Sequence, residues 1–344
     1  MIPKSNMKSS PDIQLAESTE IGSTGICHLK RIWGKAMLGN QLNEQLINEQ
    51  ELDNAIINIL GLGLLPTYQF LFGQKPSFEA FEQWVVEMGG GSIAAEKIEQ
   101  CNQLIVGNAQ VNDGFEPDVL SATDIDFWNE YGYVIIKNAI PQEDCVAARQ
   151  AIWNYLQMDE NNPESWYTQS HAVQGIMVPL YREAVIDKNR NAPRIRKAFE
   201  QLWGQQGLIV TTDKCGFNPP ETNGFTYRGI GLHWDVSLAR PIPFGTQGIL
   251  YLTDTAANQG ALTLIPSFHK ILESWLDGLP ADINPREFEF TAFEKISIAA
   301  NAGDFIIWNH KLPHSSSPNN ATLPRLVQYI NWYAPLQKVQ ADWI

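Results

Sequence analysis

The chain has 344 residues, 44% of them hydrophobic and 18% charged, with a formal net charge of −14. That length and apolar content support one large folded domain with a smaller one beside it, and exclude a disordered or short disulfide-held chain. The acid excess, with no basic stripe along any expected helix, excludes the electrostatic footprint of a nucleic-acid-binding protein.

Cys27, Cys101, Cys145 and Cys215 are scattered, with no C-x-x-C pair, so neither a disulfide framework nor a zinc knuckle is indicated. Free thiols in a cytoplasmic protein are the expectation. Residues 1–25, rich in Ser, Thr and charge, read as a disordered tail without a signal-peptide core. No later stretch is apolar for long enough to cross a bilayer, so no membrane association is expected.

Residues 26–110 read as a helical accessory module. HLKRIWGKAM, QLINEQELDNAIINIL, FEAFEQWVVEM and SIAAEKIEQCNQLIV each space apolar residues three or four apart. Ser77 and Ser92 stand at expected N-caps, each with Glu in the following turns, and Gly89-Gly90-Gly91 separates the last two helices. Gly61-Leu62-Gly63-Leu64-Leu65-Pro66 lacks a third glycine and a preceding strand, so it reads as a helix stop and turn, not a nucleotide loop. The module is suited to homodimerisation, to forming a lid, or to recognising a carrier- or peptide-bound substrate. Residues 111–123 are polar, with Gly114 and Pro117, and read as a linker.

The texture changes in residues 124–344. YVIIK (133–137) predicts a short strand, and Gln142–Leu156 and PRIRKAFEQLW (193–203) predict helices. After Gly207 come short β-like runs with turn residues between them: LIVTTDKCGF, GIGLHWDVSLA, GTQGILYLTD, GALTLIPS, GDFIIWN and RLVQYINWY. Such spacing predicts a sandwich or closed barrel rather than a parallel sheet.

His233-Trp234-Asp235 lies in one of these runs. Strand parity puts His233 and Asp235 on one face, where an imidazole and a carboxylate can chelate one ion, and Trp234 on the other. An H-x-D pair alone equally describes a surface hydrogen bond. A third ligand is available downstream, where FIIWNHKLPHSSSPNN carries His310 and His314. Two histidines and one carboxylate form the facial triad of non-haem iron(II) oxygenases, which leaves positions open for a keto acid and dioxygen. A structural zinc site would need a fourth ligand. Arg325 follows His314 by eleven residues and opens an apolar strand, where its planar fork can clamp the distal carboxylate of 2-oxoglutarate.

The segments LHWDVSLARPIPFGTQGILYLTDTAANQGALTLIPSFHK and AGDFIIWNHKLPHSSSPNNATLPRLVQYINWY resemble the phytanoyl-CoA dioxygenase family of 2-oxoglutarate-dependent oxygenases. The resemblance runs from roughly Asp124 to Tyr333 and leaves the helical module outside it. It implies an α+β fold with a double-stranded β-helix (jelly-roll, cupin-like) core and flanking helices. It implies iron(II), 2-oxoglutarate and dioxygen as cofactor and co-substrates, His233, Asp235 and His314 as metal ligands, and Arg325 as the keto-acid anchor. His314-Ser315-Ser316 matches the family's distal-ligand segment, so the resemblance selects His314 over His310 and leaves His310 lining the pocket. Related halogenases replace the carboxylate with a small residue; Asp235 therefore implies hydroxylation or another C–H oxidation.

Val327, Tyr329 and Asn331 share the parity of Arg325 and are candidate pocket residues, although core packing explains the first two as well. Gln247 is placed to reach the keto acid or the substrate, and Asn218 and Trp308 are further pocket candidates. His28 and His171 carry no supporting context and read as structural, while His269, in PSFHK, resembles a family turn histidine that packs and hydrogen-bonds locally, with no metal role expected. The expected reaction releases succinate and carbon dioxide while oxidising a small metabolite or natural-product intermediate, because an acidic chain without a basic groove suits a coenzyme A thioester poorly. Two other classes fit the H-x-D pair: a non-catalytic β-barrel that binds a metal or small ligand, and a cupin-like metal-dependent hydrolase or isomerase. Neither needs Arg325.

Overall fold

The computed structural model describes residues 14–39, 49–107, 116–168, 175–227, 229–280, 282–338, 340 and 342–344. The chain divides into two compact units, residues 1–111 with 335–339, and residues 112–334 with 340–344.

The first unit is helical, with α1 (Leu29–Leu38), α2 (Gln50–Leu60), α3 (Leu64–Gln74), α4 (Phe78–Met88) and α5 (Ala95–Val106). Ile56, Ile57, Leu60, Leu71, Phe81 and Val85 are buried together as its core. Gly61 ends α2 in the left-handed conformation, as the stop-and-turn reading requires, but the chain re-enters a helix at Leu64 instead of continuing as a loop. Ser77 caps α4 by accepting from Ala80, whereas Ser92 does not cap α5, whose N-cap is Ala94. Residues 14–25, expected in the disordered tail, are described, and part of this stretch is firmly bonded: Glu82 accepts the backbone N–H and hydroxyl of both Ser23 and Thr24. The short polar side chains that suggested disorder are here the donors that satisfy a carboxylate. Residues 1–13 of that expected tail lie outside the described residues. His28 is structural: it is buried, with Nε2 2.8 Å from Asp53 and Nδ1 2.9 Å from Ser18. Among the described residues no single helix is long and apolar enough to cross a membrane.

The second unit combines helices with antiparallel sheets, an α+β arrangement. The helices are α6 (Ala122–Tyr131), α7 (Gln142–Leu156), α8 (Ala184–Arg190), α9 (Pro193–Trp203) and α10 (Phe268–Gly278). The strands are β1 (Tyr133–Ile136), β2 (Met177–Val178), β3 (Ile209–Val210), β4 (Cys215–Asn218), β5 (Thr246–Tyr251), β6 (Leu262–Leu264), β7 (Ile296–Ser297), β8 (Phe305–Asn309), β9 (His314–Ser316), β10 (Arg325–Tyr329) and β11 (Trp332–Tyr333). They form a six-stranded sheet in the order β1-β8-β5-β10-β4-β2, a three-stranded sheet β7-β6-β9, and the pair β11-β3.

Both faces of the large sheet are buried, which explains why its strands read as continuous apolar runs. Leu250, Phe305, Ile307 and Leu326 face a core shared with α7 and α9. Their alternates Ile249, Tyr251, Ile306, Trp308 and Val327 face a second core with Leu262 and Leu264 of the small sheet. Parity then places Gln247, Trp308 and Arg325 on that second face.

One expected strand is missing. Residues 229–239 form no strand and pair only through the bridge His233↔His314. The face assignment survives because Trp234 is buried among Phe268, Trp275 and Phe290, with its indole N–H on the Lys311 carbonyl at 2.9 Å. That anchor turns the residues on either side of Trp234 outward.

Candidate metal centre

His314 opens β9, opposite Leu264 of β6, and its backbone exchanges two 3.0 Å hydrogen bonds with His233. The bridge brings the imidazole rings to 4.7 Å between centroids. Asp235 closes the group, with Oδ1 3.5 Å from His233 Nε2 and Oδ2 3.3 Å from His314 Nε2. All three ligand atoms lie within 4.8 Å of one another, and this is the one group of three or more such residues among those described. Two cis ligands each roughly 2.1 Å from a metal stand about 3 Å apart, so the spacing fits a shared ion.

The tautomers are set from behind. His233 Nδ1 donates to the Gly231 carbonyl at 2.8 Å, and His314 Nδ1 donates to the Leu312 carbonyl at 3.1 Å. Each Nε2 is thereby aimed at the carboxylate side, the usual support of a metal-binding histidine. Exposure is graded, from 6% for the His314 side chain through 25% for His233 to 55% for Asp235. Asp235 is the most exposed of the three, yet the groups around it still partly desolvate it. That burial alone would raise its pKa, but the hydrogen bonds to His233 and His314 outweigh it and hold the carboxyl well below the ordinary range. Burial also opposes protonation of His233, and the bond to Asp235 overcomes it, raising that pKa.

The remaining candidates divide. Arg325 is fully buried, and its Nε, Nη1 and Nη2 have no hydrogen-bond partner among the described residues. Gln247, expected at the keto acid, is instead committed at both ends of its amide: Nε2 donates to Asp235 at 2.6 Å and Oε1 accepts the Trp308 indole N–H at 3.1 Å. Trp308 is buried and its ring lies 5.2 Å from that of His314. Asn218 is buried, stands opposite Arg325 in the β4–β10 register, and donates its side-chain N–H to the Ser317 carbonyl. His310 lies outside the triad, buried, with Nε2 donating to the Pro243 carbonyl at 2.8 Å. Tyr329 is half-buried against the second core, and Asn331, beyond the end of β10, accepts from Thr246 at 3.2 Å. His269 is bonded to the Asn129 carbonyl, and His171 lies outside the described residues.

Two residues near the site were not among the sequence candidates. Tyr227 donates its hydroxyl to the Ser316 carbonyl at 2.5 Å, and burial pushes its pKa up to about 12. Arg286 donates to the carbonyls of Trp234 and Val236, the neighbours of Asp235. Nothing local marks either one: Arg286 sits in an ordinary Asn-Pro-Arg-Glu turn, and its partners are about fifty residues away in sequence.

The chain belongs to the phytanoyl-CoA dioxygenase family, whose model matches residues 128–327, more than half of its length. It is thus a 2-oxoglutarate-dependent oxygenase, of the class that uses iron(II), 2-oxoglutarate and dioxygen. It is 23% identical over 256 residues to a Dictyostelium discoideum protein described as "Putative phytanoyl-CoA dioxygenase", covering 60% of this chain and 73% of that one. Among solved structures it is similar to EctD from S. alaskensis in its apoform, with a TM-score of 0.48, 16% identity, and 67% and 81% of the two chains covered. It is also similar to the non-haem alpha-ketoglutarate-dependent carbocyclase SnoK from nogalamycin biosynthesis, with a TM-score of 0.45, 16% identity, and coverages of 64% and 87%.

Proposed function

We propose that this oxygenase is a hydroxylase in which His233, Asp235 and His314 hold iron(II) and Arg325 holds the distal carboxylate of 2-oxoglutarate. The observation that carries this reading is the buried guanidinium of Arg325, which has no hydrogen-bond partner among the described residues. An uncompensated buried cation destabilises a protein by several kcal/mol, so its persistence calls for an anion that arrives later. A planar carboxylate matches its fork. The donor set fits as well, since two imidazoles and one carboxylate occupy a single face of an ion and leave the rest for other ligands.

When bound, iron and keto acid supply the oxidation of a C–H bond, with release of succinate and carbon dioxide. The chain's own residues set the stage. The carbonyls of Gly231 and Leu312 fix the histidine tautomers, and Gln247 turns the Asp235 carboxylate toward the imidazoles. Asp235 also fills the position that a halide would need, which favours oxygen transfer over halogenation. The antiparallel six- and three-stranded sheets, with the triad at the small sheet and Arg325 on the large one, support a double-stranded β-helix for this core. The acidic composition supports a small metabolite or natural-product intermediate as substrate.

Anaerobic addition of iron(II) and 2-oxoglutarate should produce a weak visible charge-transfer band that His314→Ala abolishes. A fully metallated wild-type protein without that band overturns the reading. A substrate panel should then show succinate release coupled to a product heavier by one oxygen. A non-catalytic binder would release no succinate, and a zinc-type hydrolase would turn over without oxygen or keto acid.

A further inference from the structure

From His233 to Val236 the segment that carries the two ligands is supported by a neighbouring backbone only at His233, through the bridge to His314. Further along, the backbone would need donors that no strand supplies, and Arg286 provides them. Its Nη1 donates to the Trp234 carbonyl at 2.9 Å and its Nη2 to the Val236 carbonyl at 2.8 Å. Both carbonyls face the same guanidinium, so one planar fork takes the two of them. Asp235 lies between them.

The guanidinium is itself held from its other side. Nε and Nη2 donate to the Ile344 carbonyl oxygen at 2.9 and 2.7 Å, and the central carbon lies 4.6 Å from the centroid of the Trp343 ring. Residues 342–344 also bind the ligand-bearing segment directly. Leu238 donates to Ile344 at 3.1 Å, Ser237 donates its hydroxyl to Asp342 at 2.6 Å, and the Ile344 N–H returns to the Ser237 hydroxyl at 3.2 Å. Arg286 is only half-buried and stands in a one-turn helix (Pro285–Glu287) that contributes no buried residue, so its bonds bear on this segment more than on core packing.

We propose that Arg286, braced by Trp343, is a positioning residue of the metal centre: it takes the place of a neighbouring strand and holds the main chain around Asp235 so that the carboxylate meets both imidazoles. This inference rests on the reading of His233, Asp235 and His314 as the iron ligands. Partners that orient metal ligands from behind typically contribute about 10- to 100-fold in metal affinity.

Cobalt(II) tests this, because its visible d–d bands report both affinity and ligand geometry without turnover. In anaerobic titrations Arg286→Gln should bind cobalt about 10- to 100-fold more weakly than wild type and show shifted bands. Arg286→Lys, which keeps the cation but not the fork, should fall between the two. Trp343→Ala, at an exposed ring, should weaken binding several-fold. Thermal midpoints of the metal-free proteins are recorded alongside. An arginine with a merely structural role would lower the midpoint while leaving cobalt affinity and bands unchanged, and that result overturns the proposal. If Arg286→Gln does not fold, wild-type affinity and bands in both Arg286→Lys and Trp343→Ala overturn it equally. Failure of the underlying triad is recognised separately, by wild-type protein that binds cobalt no better than His233→Ala or His314→Ala.

Discussion

Gln247 donates to Asp235 Oδ2 at 2.6 Å while its own oxygen accepts the Trp308 indole at 3.1 Å, so neither end of the amide is free to turn. The pair arises from cross-strand register, because Gln247 on β5 stands opposite Trp308 on β8. The indole can only donate, which forces the amide nitrogen toward the carboxylate. Gln247→Ala should therefore release Asp235 and weaken iron(II) binding about 10-fold, at the lower end expected for an orienting partner. Gln247→Glu should be worse, since it sets a second carboxylate against Asp235. Trp308→Phe, which frees the amide without removing it, should cost less than either. Anaerobic iron(II) titration ranks the three.

His310 offers a test by pH. Burial pushes its pKa down to about 4, and the bond to the Pro243 carbonyl only partly opposes that shift. In the unfolded chain an ordinary histidine titrates near 6.5, so the unfolded state binds more protons between pH 6.5 and about 4. Stability from the neutral buried ring is thus present above pH 6.5 and lost as pH falls toward 4. Between pH 7 and pH 5 that loss comes to about 2 kcal/mol. His310→Gln can keep a donor for the carbonyl but cannot titrate, so denaturant melts of this variant should lose about 2 kcal/mol less than wild type over that interval.

The cysteines should separate by burial. Cys101, Cys145 and Cys215 are fully buried, and burial raises their thiols to about 12, 11 and 12 respectively. Cys27 is the one that reaches solvent. The thiolate is the reactive form, so brief alkylation of the native protein near neutral pH should add a single group, at Cys27. Denatured protein should take up four. Native adducts at the buried positions would show that one of the two units opens readily.

How much of this could be read in the sequence depended on how local the cause was. Helices α7 and α9 fall on the residues expected, because amphipathic spacing, and Pro193 at the first turn of α9, act within a few residues. Helix α3 was hidden by Pro66 and the glycines before it, which mark a turn equally well until one sees Pro66 within the first turn of a new helix. Parity placed His233 and Asp235 on a common side and Trp234 opposite, although no strand forms there. Where the expected strand would pair, the carbonyls of Trp234 and Val236 are met by the Arg286 side chain, about fifty residues away, and no pattern in residues 229–239 announces that partner. Gln247 is similar: alternation gave its face, but only the register with Trp308 determines that it serves Asp235 rather than a ligand.

Arg325 is the residue whose removal separates binding from folding most cleanly. Its guanidinium is buried on β10 with all three nitrogens unpartnered among the described residues, so the metal-free, ligand-free protein bears a desolvation penalty that no bond from them offsets. Arg325→Met keeps most of the volume and removes the charge. Its thermal midpoint without ligands should therefore equal or exceed that of wild type, contrary to the usual loss on altering a buried residue. With a divalent metal bound, 2-oxoglutarate at roughly 100 times its Kd should stabilise wild type by about 2.7 kcal/mol and leave the Met variant unmoved. Arg325→Lys should recover only part of that gain, because an ammonium is a point charge and cannot match both carboxylate oxygens in one plane. A Met variant markedly less stable than wild type before any ligand is added would mean that the guanidinium serves the fold, and the keto acid would then need another anchor.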